Sequence, residues 1–362
     1  MHRIAYQKLE EVRDVYPIGF IRKEYMMEVN MNWAAFIIGS SPLFDEQWYR
    51  KTYRISDEVN AAKHYLLEGA KKGWNPSKYF STEEYFLENE NVRWNGDNPL
   101  LHFEVTGHEQ HSFPHIPLEI ERKYKKCACC GHFIGRYAPL SNFYAEEAKK
   151  YHAKPWHSEM VNEKEYACPY CGSADRDRAY AVFLRRILPA DFSGRVLDIA
   201  PSSGMRNLFQ NFMPKAQYMT ADLSMPGVDY QMDIMDMKEI DDDSIDVFIC
   251  SHVLEHVRDD RQAMRELYRI LSPQGIGILV VPIDLNQKEI DEDPDCEDIG
   301  ERWRRFGQND HIRKYSRQGY IDRVREIGFD LVQIQKEFFG LEAMYENALL
   351  ETSTVYVVSK SE

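Results

Sequence analysis

The sequence predicts an α/β domain built on a doubly wound parallel sheet over residues 181–362, preceded by a four-Cys segment over 119–180 and a small helical repeat domain over 1–118. Three observations lead there. From Gly194 onward, apolar runs of strand length alternate with amphipathic helical stretches, the signature of βαβ units. Between 119 and 180 stand two Cys-x-x-Cys pairs, and before 118 the sequence echoes itself. The length of 362 residues accommodates two or three domains, and 43% hydrophobic with 29% charged residues is the balance of a soluble globular chain. The longest apolar stretch, 276–283, is far short of the roughly 18 residues of a membrane helix. The start carries Arg3, Lys8, Glu10, Glu11 and Arg13 with no apolar run behind a basic one, so it does not read as a signal peptide, and a cytoplasmic protein is expected.

The repeat domain comes first. Phe44, Asp45, Trp48 and Tyr49 recur as Phe80, Ser81, Glu84 and Tyr85, 36 residues on, while His64, Tyr65 and Gly69 recur as His102, Phe103 and Gly107 at an offset of 38. Pro76 recurs as Pro114. Two units, about 41–76 and 77–114, each read as a helical hairpin with a glycine that could cap its second helix. Neither can bury an apolar face alone, so the two should stack. The units resemble repeats found beside glycosyltransferase and methyltransferase domains in bacterial polysaccharide biosynthesis proteins. The resemblance implies a pathway, and a glycosyltransferase or other polysaccharide assembly protein as a partner.

In the second segment, Cys127/Cys130 and Cys168/Cys171 are the two Cys-x-x-Cys pairs, each followed by glycine. Such knuckles turn their amides toward the sulfurs, and two of them supply four thiolates for a tetrahedral structural Zn2+. The chain holds 7 Cys, an odd number, and in a reducing compartment the Cys-x-x-Cys spacing favours metal over disulfides. The 37 residues between Cys130 and Cys168 must fold back as an insertion, and Cys129 and His132 are competing ligands. Four sulfurs leave no open position, so this metal would staple the segment rather than catalyse.

The third segment carries the chemistry. Arg195–Ala200 reads as a strand running into Pro201-Ser202-Ser203-Gly204, with a helix after it, and ligands of such sheets bind at the carboxyl ends of the strands. A second strand ends at Asp222-Leu223, 18 residues past Gly204, close to the spacing of an acid that grips ribose hydroxyls. The turn Asp198-x-Ala200-x-Ser202-x-Gly204 lacks the three glycines a dinucleotide needs. It resembles motif I of the class I methyltransferases that use S-adenosyl-L-methionine (type 11-like), with Ala200 and Ser202 where that family usually has glycine. The resemblance extends over about half the chain. It implies a Rossmann-like methyltransferase domain, with cofactor contacts from Asp198, Ala200, Ser202 and Gly204, from Asp222 and Leu223 at the ribose, from Asp233 and Ile234 at the adenine, and from Ser251 after the fourth strand, 243–250. The run 306–315 resembles a subgroup in which Cys-Pro-x-Cys-Gly-Ser knuckles also precede the domain.

His252-x-x-Glu255-His256 is also the pattern of inverted zinc proteases, which place it inside a long helix. Here it follows a strand and is expected to begin a helix, putting His252 and His256 on one face. A hydroxyl acceptor must lose its proton as the new bond forms, which suits a histidine near the methyl group. His252 is the first candidate. His256 reads equally as a buried structural imidazole, and His311 lies in the 285–315 insertion expected to cover the acceptor, with Arg313 as a further acceptor contact or a loop-packing residue. The expected activity is O-methylation of a sugar hydroxyl in bacterial surface polysaccharide biosynthesis, on a glycan or nucleotide-sugar acceptor, in the cytoplasm or at the inner face of the membrane. One alternative is an RNA methyltransferase with a zinc knuckle, which the net charge of −14 disfavours by repelling phosphate backbones. The other is a non-catalytic scaffold of a glycan assembly complex.

Overall fold

The computed structural model describes residues 23–107 and 116–361. The charged start of the chain and Pro114 lie outside the described residues. Two compact units divide the chain: one holds the residues up to Cys127 with Gly131–Ala138 and Cys168–Gly172, the other Ala128–Cys130, Pro139–Ala167 and everything from Ser173.

In the first unit the sequence echo becomes a structural one. Asp45 caps the helix Glu46–Tyr53 by accepting the Trp48 N–H at 2.9 Å, and Ser81 caps Thr82–Glu88 in the same way through Glu84. Asn60 and Asn98 cap the paired second helices, Ala61–His64 and Pro99–His102, and each runs on into a π-helical turn, Tyr65–Gly69 and Phe103–Gly107. The Tyr49 hydroxyl is hydrogen-bonded to His64 Nδ1 at 2.9 Å, and Tyr85 to His102 Nδ1 at 2.7 Å. Both tyrosines are fully buried in one aromatic core with Phe44, Tyr65, Phe80 and Phe103, so the hairpins share a core. Gly69 is not the expected cap. Its φ is −61°, and a Cβ there would stand 2.1 Å from the Tyr49 hydroxyl, so glycine makes room for the buried Tyr–His pair. Gly73, at φ 72°, ends that helix.

The second unit carries a seven-stranded sheet: β1 Arg195–Ile199, β2 Gln217–Asp222, β3 Tyr230–Gln231, β4 Ile245–Ser251, β5 Leu271–Val280, β6 Phe329–Ile334 and β7 Val355–Lys360. Its order is β6-β7-β5-β4-β1-β2-β3. The first five strands are parallel, as the alternation predicts, while β7 runs antiparallel to β5 and β6. The apolar positions of β1 and β4 are buried, as strands covered on both faces require. Helices Asp175–Ile187, Ser203–Phe212 and Lys336–Glu346 form one packed group, Asp260–Ile270 and Arg317–Ile327 the other. Residues 272–275 lie inside β5 as an irregularity: Leu271 pairs with Ile245, and regular pairing resumes at Ile276 with Val247. The 281–316 insertion contributes a helix, Ile299–Phe306, and a two-residue strand pair, Asp291–Glu292 with Arg313–Lys314. Among the described residues no helix is long and apolar enough to cross a membrane.

Candidate functional site

Two neighbouring strands end alike. Ala200 follows β1 at φ 53° and His252 follows β4 at φ 57°, both in the left-handed region that costs a non-glycine residue of the order of 1 kcal/mol. Each turn is pinned across the sheet: the Ala200 N–H donates to the Ala221 carbonyl at 2.8 Å and the His252 N–H to the Val280 carbonyl at 2.9 Å. Strain at the carboxyl edge of a doubly wound sheet marks the place where ligands bind.

The sequence-selected residues line this edge. Asp198 is buried and accepts the Tyr218 hydroxyl at 2.6 Å; burial pushes its acid up to about 8, although that hydrogen bond pulls the other way. Ser202 caps Ser203–Phe212 by accepting the Met205 N–H. A Cβ on Gly204 would come within 2.8 Å of Asp177 Oδ2 and of Ser173 Cβ, which gives glycine a packing reason there. Asp222 Oδ1 accepts the N–H groups of Ser224 and Met225 at 2.8 and 2.7 Å, and Leu223 beside it is 67% exposed. The Met232 N–H donates to the Asp222 carbonyl, which brings the loop of Asp233 and buried Ile234 against the end of β2. Ser251 Oγ lies 2.9 Å from the Tyr180 hydroxyl.

Beyond β4 the structure departs from the expected helix. Residues 253–258 form a turn, and the next helix begins at Asp260, so His252 and His256 do not share a helical face. They meet through Glu255 instead. Glu255 is fully buried, neither carboxylate oxygen has a hydrogen-bond partner, and Oε1 lies 3.6 Å from His252 Nδ1, 3.7 Å from His256 Nε2 and 3.9 Å from His311 Nε2. Burial, then the positive charge of Arg176, hold His252 well below the ordinary imidazole value, and burial does the same to His311. Both are therefore neutral at physiological pH. Arg313 takes the loop-packing role rather than an acceptor contact. It is buried, donates to the carbonyls of Leu254 and Val257 at 2.8 and 2.9 Å, and pairs with Glu292, while Arg323 pairs with Asp260 and Glu292.

The four expected sulfurs also converge. Those of Cys127, Cys130, Cys168 and Cys171 all lie within 4.8 Å of one another, with Cys127 and Cys171 3.9 Å apart. Ligands about 2.3 Å from a tetrahedral zinc are separated by about 3.8 Å, so the donor set and spacing fit that ion. Gly131 and Gly172 stand at φ 79° and 70° and donate back to the Cys127 and Cys168 carbonyls, closing the two knuckles. Cys129 and His132 lie outside the group, and the His132 ring stacks on Tyr170.

Sequence reasoning passed over Arg176, Tyr180 and Glu255. Arg176 donates to the Tyr166 hydroxyl at 2.7 Å and acts electrostatically on His252. It stands five residues past Cys171, in a stretch read as metal-binding. Glu255 was visible only as the middle of a protease-like pattern.

Residues 181–279 match the family model described as a methyltransferase domain, a span that includes every candidate at the strand edge together with His252 and His256 but not His311. Among solved structures, the chain is similar to an S-adenosylmethionine-dependent methyltransferase from Mesorhizobium loti (16% identity, 50% of this chain and 97% of that one, TM-score 0.35). It is similar also to phosphoethanolamine N-methyltransferase 2 of Haemonchus contortus (14% identity, 53% of each chain, TM-score 0.35). No curated protein matches the sequence. Residues 181–279 thus match a methyltransferase domain, and the chain is an enzyme, an S-adenosylmethionine-dependent methyltransferase.

Proposed function

We propose that this methyltransferase acts on a sugar hydroxyl in bacterial surface polysaccharide biosynthesis, with a nucleotide sugar or a lipid-linked or growing glycan as acceptor. S-adenosyl-L-methionine supplies the methyl group, as a sulfonium. The observation that carries an oxygen acceptor is the placement of His252 at the β4 edge, with Nδ1 3.6 Å from the Glu255 carboxylate, where the imidazole can take the hydroxyl proton as the carbon–oxygen bond forms. The sugar follows from the paired repeat units, whose likeness is to repeats in polysaccharide biosynthesis proteins.

In this reading Asp222, with Oδ1 engaged by backbone, offers its other oxygen to the ribose hydroxyls. Leu223 gives an exposed apolar surface for the adenine, next to Asp233 and Ile234, and the Ala200–Gly204 turn holds the methionine part with Ser251. The four cysteines hold a structural Zn2+. In this reading the protein works in the cytoplasm or at the inner face of the membrane, and its repeats dock a glycosyltransferase or another assembly protein.

Calorimetry with S-adenosylhomocysteine on wild type and Asp222→Ala tests the pocket, and mass spectrometry of methylated products tests the acceptor. Micromolar binding lost in the variant, followed by transfer to a nucleotide sugar or glycan, is expected. Absence of binding by folded, zinc-loaded protein overturns the cofactor assignment and favours a scaffold. Transfer to RNA and to no sugar replaces the acceptor.

A further inference from the structure

We infer that Glu255, His256 and His311 form a second metal site, for a divalent first-row transition cation held by one carboxylate and two imidazoles. The inference stands apart from the sugar-acceptor reading.

The hydrogen bonds around the cluster dictate which atoms face inward. His256 Nδ1 is 3.3 Å from the Asp310 carbonyl oxygen, and His311 Nδ1 is 3.2 Å from the Phe306 carbonyl oxygen. A carbonyl only accepts, so each Nδ1 carries the proton, and each Nε2 presents a lone pair. Both lone pairs point toward the Glu255 carboxylate, at 3.7 and 3.9 Å. Two imidazole nitrogens and a carboxyl oxygen thus converge at separations too long for hydrogen bonds. The carboxyl oxygen belongs to a side chain with 0% exposure and no partner on either oxygen. A buried carboxylate left in that state costs several kcal/mol, and a cation at the centre removes the cost.

The dimensions suit such an ion. Nitrogen and oxygen ligands about 2.1 Å from a tetrahedral metal stand about 3.4 Å apart, a few tenths of an ångström less than the separations here. The backbone carbonyls on both Nδ1 atoms are the outer partners that metal-bound histidines ordinarily have, and they fix the tautomer that ligation requires. Two imidazoles among three ligands favour zinc or another transition ion over calcium or magnesium. Three protein ligands, unlike the four sulfurs, leave a coordination position open, and His256, 35% exposed, gives the cluster access to solvent.

Zinc binding to the full-length protein is the test. Wild type, His256→Ala and Glu255→Gln are loaded with Zn2+, dialysed, and analysed for metal per chain by mass spectrometry. The difference matters rather than the total, which separates this site from the cysteines: each variant should hold one zinc fewer than wild type. Cys171→Ala should also lose one, without touching the other. Competition against a chromophoric chelator should show the non-cysteine zinc weakened more than about 100-fold by His256→Ala, a partly exposed position where truncation leaves the core intact. A zinc-edge anomalous map of wild-type crystals should place a peak among Glu255, His256 and His311. Equal zinc content in wild type and both variants, or a zinc-loaded crystal with no peak there, overturns the site, whatever the outcome for cofactor or acceptor.

Discussion

The four sulfurs and the Glu255 cluster are both convergences of ligand-type side chains, and they are held in opposite ways. Each cysteine pair sits on a knuckle closed by its own backbone, with a glycine at positive φ and a hydrogen bond back to the first cysteine. The Glu255 turn has backbone bonds of its own, the His256 N–H to the Val253 carbonyl and the Val257 N–H to the Leu254 carbonyl, but no glycine at positive φ closes it. It is held also from a distance, by Arg313 on the carbonyls of Leu254 and Val257 and by the Ile312 N–H on the carbonyl of Glu255 itself. The first arrangement needs only spacing and an ion. The second needs the whole domain to be folded first, which makes it suited to a site that must be presented to a substrate.

The largest expected effect tests the first half of that contrast. Cys171→Ala removes one of the four thiolates, so zinc and the order of the two knuckles should be lost together, destabilising by several kcal/mol. Thermal unfolding with and without a chelator measures it. Wild type should drop to the variant's melting temperature when zinc is stripped; a variant that melts like zinc-loaded wild type would break the comparison.

Arg313→Ala comes next and attacks the second half. It leaves Asp260 and Glu292 facing a single arginine, Arg323, and takes a donor from the carbonyls of Leu254, Val257 and Arg258. Breaking buried pairs of this kind costs about 3–5 kcal/mol. Urea denaturation should show a loss of that order, and the zinc held by Glu255 and the histidines should go with it. A loss below about 1 kcal/mol would mean that the turn holds itself.

A smaller effect concerns the floor of the strand edge. The Asp198 acid is raised to about 8 in the folded chain, against about 4 for an ordinary aspartate. The folded protein therefore keeps this proton where the unfolded chain has lost it, and the group's contribution to stability falls as pH rises from about 4 to about 8. Asp198→Asn keeps an acceptor for the Tyr218 hydroxyl and removes the slope. Urea midpoints at pH 5 and pH 8 should converge in the variant relative to wild type, and parallel profiles would contradict the buried acid.

These contrasts also explain what could be read in the residues. The knuckles, the Asp198–Gly204 turn, the acid at Asp222 and the doubled Phe–Tyr–His pattern are local, and spacing carries them. The antiparallel β7 and the packing role of Arg313 depend on which distant segments pair, and nothing within a window of ten residues encodes that. Residues 252–256 illustrate the difference best. Their spacing suits a helix, yet Arg313 and Ile312, more than 50 residues downstream, take the backbone carbonyls a helix would use. Glu255 could be singled out only once the fold had brought His311 beside it. Arg176 was missed for a different reason: its neighbours in sequence read as metal ligands, and its electrostatic partner lies across the sheet edge.

The smallest effect is the most local. Ala200 and His252 adopt nearly the same left-handed backbone at adjacent strand ends, but only His252 has side-chain chemistry that gives a reason for the strain. Glycine adopts that backbone without the Cβ clash, a relief of about 1 kcal/mol, and against it stands the extra freedom glycine gives the unfolded chain, about 0.5–1 kcal/mol. Ala200→Gly should therefore change stability by less than about 0.5 kcal/mol, toward stabilisation, while letting the cofactor's methionine part approach the backbone more closely. Calorimetry with S-adenosylhomocysteine should show binding tightened or unchanged. Weaker binding at equal stability would mean that the alanine methyl group itself touches the ligand, and that the strain at β1, like that at β4, is kept for the sake of a side chain.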